Sequence, residues 1–153
     1  MNYLSTAISA TTQPSSRARL LVVDDDPLLR ELHATVLRIF GYEVATAEDG
    51  ADALEQLAEE SFDLVLTDRQ MPNLDGVSMV LALRSAGSVI PIIMFSGSLS
   101  HAPLPAAVAG EFFAAIPKPA RTPEVFSAVA AALDCASRRR EPRQIRDAHL
   151  LAA

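Results

Sequence analysis

Arg19-Leu20-Leu21-Val22-Val23-Asp24-Asp25-Asp26-Pro27 is the stretch from which the rest of the chain can be read. Its apolar run does not alternate with polar residues, so it reads as a strand buried on both faces, as in a parallel sheet under helices. It ends abruptly in three carboxylates, and Pro27 then suits the first turn of a helix. Phe62-Asp63-Leu64-Val65-Leu66-Thr67 likewise runs into Asp68. In parallel sheets ligands bind beyond the carboxyl ends of the strands. Carboxylates gathered there repel one another unless a cation bridges them. The pattern therefore points to a divalent metal with phosphate chemistry around it. Of the 13 Lys and Arg residues 12 are arginine, which leaves Lys118 alone, in Ile116-Pro117-Lys118-Pro119.

Strand and helix signals alternate through the body of the chain. After Pro27, Leu28, Leu32, Val36 and Phe40 recur at helical spacing, and Gly41 ends the helix. A second strand is expected over 42–47, followed by a helix capped by Asp49 that turns Ala53, Leu54 and Leu57 inward. Met71-Pro72-Asn73-Leu74-Asp75-Gly76 is a turn-rich loop, with Asp75 placed to cap a helix bearing Val77, Val80, Leu81 and Leu83. A fourth apolar strand over 90–95 runs into Ser96-Gly97, and a fifth covers 112–116. Thr122-Pro123-Glu124 opens a last helix whose buried face carries Val125, Val129 and Leu133. Five strands alternating with helices imply a parallel sheet with helices on both faces.

The chain has 153 residues, enough for one domain with a real core, and half of them are apolar. No run reaches the length of a membrane span, and residues 1–17 read as a disordered arm rather than a secretory signal. A single cysteine, Cys135, permits no internal disulfide and agrees with a reducing cytoplasm. His33, His101 and His149 show no metal-ligand spacing. The net charge of −6 conceals an asymmetry: residues 18–137 hold 17 acidic and 7 basic residues, whereas residues 138–153 carry five arginines and two acids. An acidic body argues against nucleic-acid binding by the domain 18–137, and the basic tail reads as a solvated segment.

Taken in order, Val22-Val23-Asp24-Asp25-Asp26-Pro27, Asp68 with Met71-Pro72-Asn73-Leu74-Asp75-Gly76, Ser96-Gly97 and Lys118-Pro119 resemble the receiver domain of two-component response regulators. Any one is weak, but all four, each at a strand end, make a strong signal. The resemblance covers roughly residues 19–137. It implies a flavodoxin-like, doubly wound five-stranded parallel sheet in the order 2-1-3-4-5 with about five helices. It also implies a single-domain response regulator that signals by protein–protein interaction with an unknown target and is not an enzyme towards outside substrates. By that resemblance Asp68 is the phosphoacceptor, labelled by a histidine kinase or a histidine phosphotransferase. Asp24, Asp25, Asp68 and the backbone carbonyl of Gln70 would hold Mg²⁺, while Lys118 and Ser96 would contact phosphoryl oxygens. Gln70 and Ser98 occupy the positions that tune hydrolysis in this family.

Two departures stand out. Receivers usually carry Tyr or Phe where this chain has Ala115, so nothing large is available to swing inward. Pro103 and Pro105 allow a fourth helix only from about Pro105 to Gly110, short or irregular. Two other readings compete. Asp24 and Asp26 match in outline the Asp-x-Asp signature of haloacid-dehalogenase-type phosphatases, and a degenerate receiver would serve as an unphosphorylated docking module.

Overall fold

A computed structural model describes residues 17–140. The disordered-arm expectation for 1–17 falls almost wholly outside them, as does the tail beyond Arg140. Five strands, β1 (Arg19–Val23), β2 (Glu43–Ala47), β3 (Leu64–Thr67), β4 (Ile92–Ser96) and β5 (Ala114–Pro117), alternate with five helices. The helices are α1 (Pro27–Ile39), α2 (Gly50–Glu59), α3 (Gly76–Ser85), α4 (Ala106–Ala109) and α5 (Thr122–Arg140). All strands pair in parallel, in the order β2-β1-β3-β4-β5. This is the flavodoxin-like topology expected from the sequence.

The strand period of two splits the apolar residues between two cores. Leu20, Val22, Leu64, Leu66, Ile93 and Phe95 meet Leu37 of α1 and Val129 and Ala132 of α5. Leu21, Val23, Val65, Ile92 and Met94 meet Ala53 of α2 and Met79, Val80 and Leu83 of α3. Each fully buried Leu, Ile or Val contributes about 1.5–3 kcal/mol, so the central strands dominate the stability.

Several boundaries differ from the sequence reading, and the structure adds which helix faces turn inward. The apolar repeat Leu28, Leu32, Val36, Phe40 is not the buried face of α1: Leu28 is 80% and Leu32 56% exposed. A four-residue step overshoots the 3.6-residue turn, and the face on the sheet is instead Ala34 and Leu37. Leu81 is also exposed, with Met79 buried in its place. Phe112 is buried but precedes β5. The last helix continues to Arg140, three residues past the expected domain end. Arg138 pairs with Asp134, and Arg140 donates to Asp63 at 2.9 Å. The fourth helix is as short as the prolines require, with Pro105 and Gly110 at its two caps.

Candidate phosphoacceptor and metal site

Strand register assembles the site. Val23 pairs with Thr67, so the next residues, Asp24 and Asp68, lie side by side, and the Asp68 N–H donates to the Val23 carbonyl at 2.9 Å. Ser96 pairs with Pro117, and the Lys118 N–H donates to the Ser96 carbonyl at 3.0 Å. The polar residues that follow the apolar strands thus emerge together at the carboxyl ends of the sheet.

Carboxylate oxygens of Asp24, Asp25 and Asp68 lie within 4.8 Å of one another. Asp24 is buried, Asp68 half-buried and Asp25 exposed. The Lys118 ammonium donates to Asp24 Oδ2 at 3.1 Å and sits 3.8 Å from Asp68 Oδ1. Two carboxylates at such separations repel by roughly 3–4 kcal/mol at an effective dielectric of about 20, and one ammonium cannot offset three of them. The donors are all oxygen and anionic, the set a hard divalent cation takes, so the residues fit Mg²⁺.

Burial pushes the Asp68 carboxyl above the ordinary 3.8, and Asp24 adds to the rise. The Arg69 N–H, donating to Asp68 Oδ1 at 2.8 Å, then Lys118 and the Ser96 hydroxyl, oppose it. Ser96 is buried, and its Oγ lies 3.1 Å from Ser98 Oγ. Gly97 is exposed, and a Cβ there would meet nothing within 4 Å, which leaves the approach to the site open. The Lys118–Pro119 peptide is cis.

Asp26 does not join the acidic cluster. Its Oδ1 accepts from the N–H groups of Leu28 and Leu29 at 2.8 and 3.2 Å, capping α1. That removes the second acid of the Asp-x-Asp phosphatase signature. Asp75 caps α3 through the Ser78 N–H, as expected. Gln70 lies exposed two residues beyond Asp68.

Sequence reasoning missed the wall behind Lys118. The ammonium sits 5.2 Å from the centroid of the Phe95 ring, and His33 meets that ring edge-on at 4.8 Å. Burial, then Lys118, lowers the His33 pKa against a small upward pull from Asp24. Arg30 donates to the Asp24 carbonyl at 2.7 Å. Arg30, His33 and Leu37 share a helical face that becomes readable only once the sheet side of α1 is known.

The family description "Response regulator receiver domain" matches residues 20–130. The chain belongs to that family. Solved relatives of this receiver include one from Clostridium thermocellum, 27% identical, covering 80% of this chain and 98% of that one at a TM-score of 0.72. Another is the response regulator TrrA of Thermotoga maritima in complex with Mg²⁺–BeF, 29% identical, covering 75% and 98% at 0.69. Among curated proteins the receiver resembles part of the sensor histidine kinase RcsC of Salmonella typhimurium, 39% identical over 93 residues, 59% of this chain and 10% of the kinase. It also resembles the transcriptional regulatory protein PrrA of Mycobacterium tuberculosis, 45% identical over 82 residues, 54% of this chain and 35% of the regulator. The matches thus span only a minor part of those longer proteins. No helix among the described residues is long and apolar enough to cross a membrane.

Asp25→Ala is expected to weaken Mg²⁺ binding on the order of tenfold, measured by calorimetric titration, while leaving the fold intact because the side chain is exposed. An unchanged titration would remove Asp25 from the metal ligands.

Proposed function

We propose that this receiver takes a phosphoryl group onto Asp68 from a phosphohistidine donor, a histidine kinase or phosphotransferase, and signals through a change in its protein-binding surface. The observation that carries this reading is the acidic cluster at the carboxyl ends of β1 and β3, with Lys118 bridging Asp24 and Asp68. An Asp68 oxygen attacks phosphorus, the P–N bond of the donor breaks, and the imidazole leaves with a proton from solvent. Lys118 and Ser96 donate to phosphoryl oxygens. Asp24, Asp25, Asp68 and the Gln70 carbonyl would hold Mg²⁺, which would supply charge neutralisation for both reactants. The exposed Leu28 and Leu32, on the turns of α1 next to Asp25, supply apolar area for docking a donor protein. The chain turns over no outside substrate and works in the cytoplasm.

Incubation with acetyl phosphate and Mg²⁺ followed by intact-mass measurement tests this reading. Gain of one phosphoryl group is expected, and no gain would leave only a docking role.

The output is an order change in the segment 96–110. Ala115 is exposed and too small to swing, and a hollow of about 380 Å³ lies between it and Leu99, Pro103, Leu104 and Ala109. The segment is held by turn hydrogen bonds, by Arg69, which donates to the Ala102 carbonyl, and by Leu99, Leu104 and Val108, which pack only partly buried against the core. Beryllofluoride with Mg²⁺, a phosphoryl mimic, is expected to change amide hydrogen exchange across residues 98–110. Unchanged protection there would reject the order change.

A further inference from the structure

The nine residues from Asp68 to Gly76 form a loop with an exposed outer edge at Gln70, Pro72 and Asn73. It is closed at its base, where the Gly76 N–H donates to the Arg69 carbonyl at 2.9 Å. A Cβ at Gly76 would lie 2.2 Å from the Asp68 carbonyl oxygen, so only glycine permits that approach. Met71 and Leu74 pack partly against the core.

The far side of the loop is tied to the start of α2. Asn73 is the one non-glycine residue with positive φ, 63°, among the described residues. Its Nδ2 donates to Asp49 Oδ2 at 2.6 Å, while Asp49 Oδ1 accepts from the Asp52 N–H at 2.8 Å. Asp49 is only 4% exposed, so its carboxylate would be costly to leave without these partners. Beside this pair the Gly50 N–H donates to the Leu74 carbonyl at 3.0 Å. A Cβ on Gly50 would fall 2.6 Å from that oxygen. Helix and loop therefore meet at backbone contact.

We propose that Asp49 and Asn73 are positioning residues for the acceptor site: their hydrogen bond clamps the loop 69–75 to α2. The clamp keeps the Arg69 N–H on Asp68 and fixes the backbone at Gln70, whose carbonyl the proposed function assigns to the metal. Neither residue touches the reacting atoms. Asn73 also lowers the Asp49 pKa more than any other neighbour does, which agrees with a strong bond between them. The inference rests on the metal and acceptor reading of the cluster, and it adds two residues that composition assigns only to a turn and a helix cap.

Three variants separate positioning from simple stability. Asn73→Gly removes the amide donor but keeps the positive φ accessible. Asp49→Asn removes the carboxylate. The double exchange Asp49→Asn with Asn73→Asp restores the pair in reverse: the new amide donates to the new carboxylate while its oxygen still caps Asp52. Mg²⁺ affinity is read by calorimetry on the full chain, with thermal unfolding in EDTA as the control for fold. Asn73→Gly is expected to bind Mg²⁺ about tenfold more weakly, Asp49→Asn less so because the Asn73 amide can turn over and accept from the new amide, and the exchange to recover to within about threefold. Labelling by acetyl phosphate should need correspondingly more Mg²⁺ yet keep its rate at saturation. Affinity within about twofold of the native chain in Asn73→Gly, no recovery in the exchange, or no Mg²⁺ binding by the native chain would each overturn the proposal. A native chain that binds Mg²⁺ but gains no phosphoryl group would instead overturn the proposed function, and the calorimetric comparison would still decide the clamp.

Discussion

Asp68→Asn is expected to gain no phosphoryl group from acetyl phosphate and Mg²⁺, and in metal-free buffer near neutral pH to unfold at a higher temperature than the native chain. The first half follows because Asp68 is the half-buried acid at the end of β3, within reach of Lys118 and beneath the opening at Gly97. An amide in its place is no nucleophile. The second half follows from the raised pKa, whose largest cause is burial. A carboxyl whose folded pKa lies above its unfolded value binds more protons in the folded state than in the unfolded state between the two. Stability therefore falls as pH rises through that window, and a constant penalty remains above it. The variant lacks the penalty, keeps an acceptor for the Arg69 N–H, and no longer repels Asp24. The gain should vanish well below pH 3.8, where the native carboxyl is protonated in both states. A rise of a few degrees is the expected scale, since 1 kcal/mol moves Tm by roughly 2–8 °C in domains of this size. One-to-one labelling of the variant would move the acceptor elsewhere. A lower Tm would reject the electrostatic account of the site, whatever the labelling result.

Lys118→Met is expected to move stability in the opposite direction. The methionine keeps most of the stem against Phe95 but leaves Asp24, with a side chain only 4% exposed, without its cation. Breaking a buried pair from one side costs about 3–5 kcal/mol. Lys118 and Asp68 are partly hydrated, at 18% and 17%, so the expected loss is smaller, about 2–3 kcal/mol or, on the same scale, roughly 4–24 °C in Tm. Mg²⁺ should recover more stability in this variant than in the native chain, because it faces carboxylates with no other counter-ion. Labelling should slow roughly tenfold or more, since one donor to the phosphoryl oxygens is gone. An unchanged Tm in EDTA would show that Lys118 and Asp24 do not hold one another. Lys118→Arg is not a neutral control, because a planar fork cannot reproduce a compact point charge.

The haloacid-dehalogenase reading fails on one residue's geometry. Asp24 and Asp26 match the Asp-x-Asp spacing, but only Asp24 reaches the cluster while Asp26 caps α1. The sequence already leaned this way, because Asp26 stands directly before Pro27, where an acid suits the start of a helix. Which acid turns into the site is decided by where the strand ends and the helix begins.

The sequence by itself determined the sheet, the strand ends at which chemistry gathers, and the short fourth helix. These depend on local physics: unbroken apolar runs read as buried strands, acids at their ends require a counter-charge, and Pro103 and Pro105 exclude helical geometry just before them. The inward face of α1 was decided only by the tertiary structure. Leu28, Leu32, Val36 and Phe40 are as apolar as a core stripe, and how far each is exposed depends on how the helix rotates onto β1 and β2. The same holds for Phe95 and His33 beside Lys118, and for Asn73 on Asp49. Each pair joins residues far apart in the chain, and nothing at either residue marks its partner until parallel register brings the strand ends level.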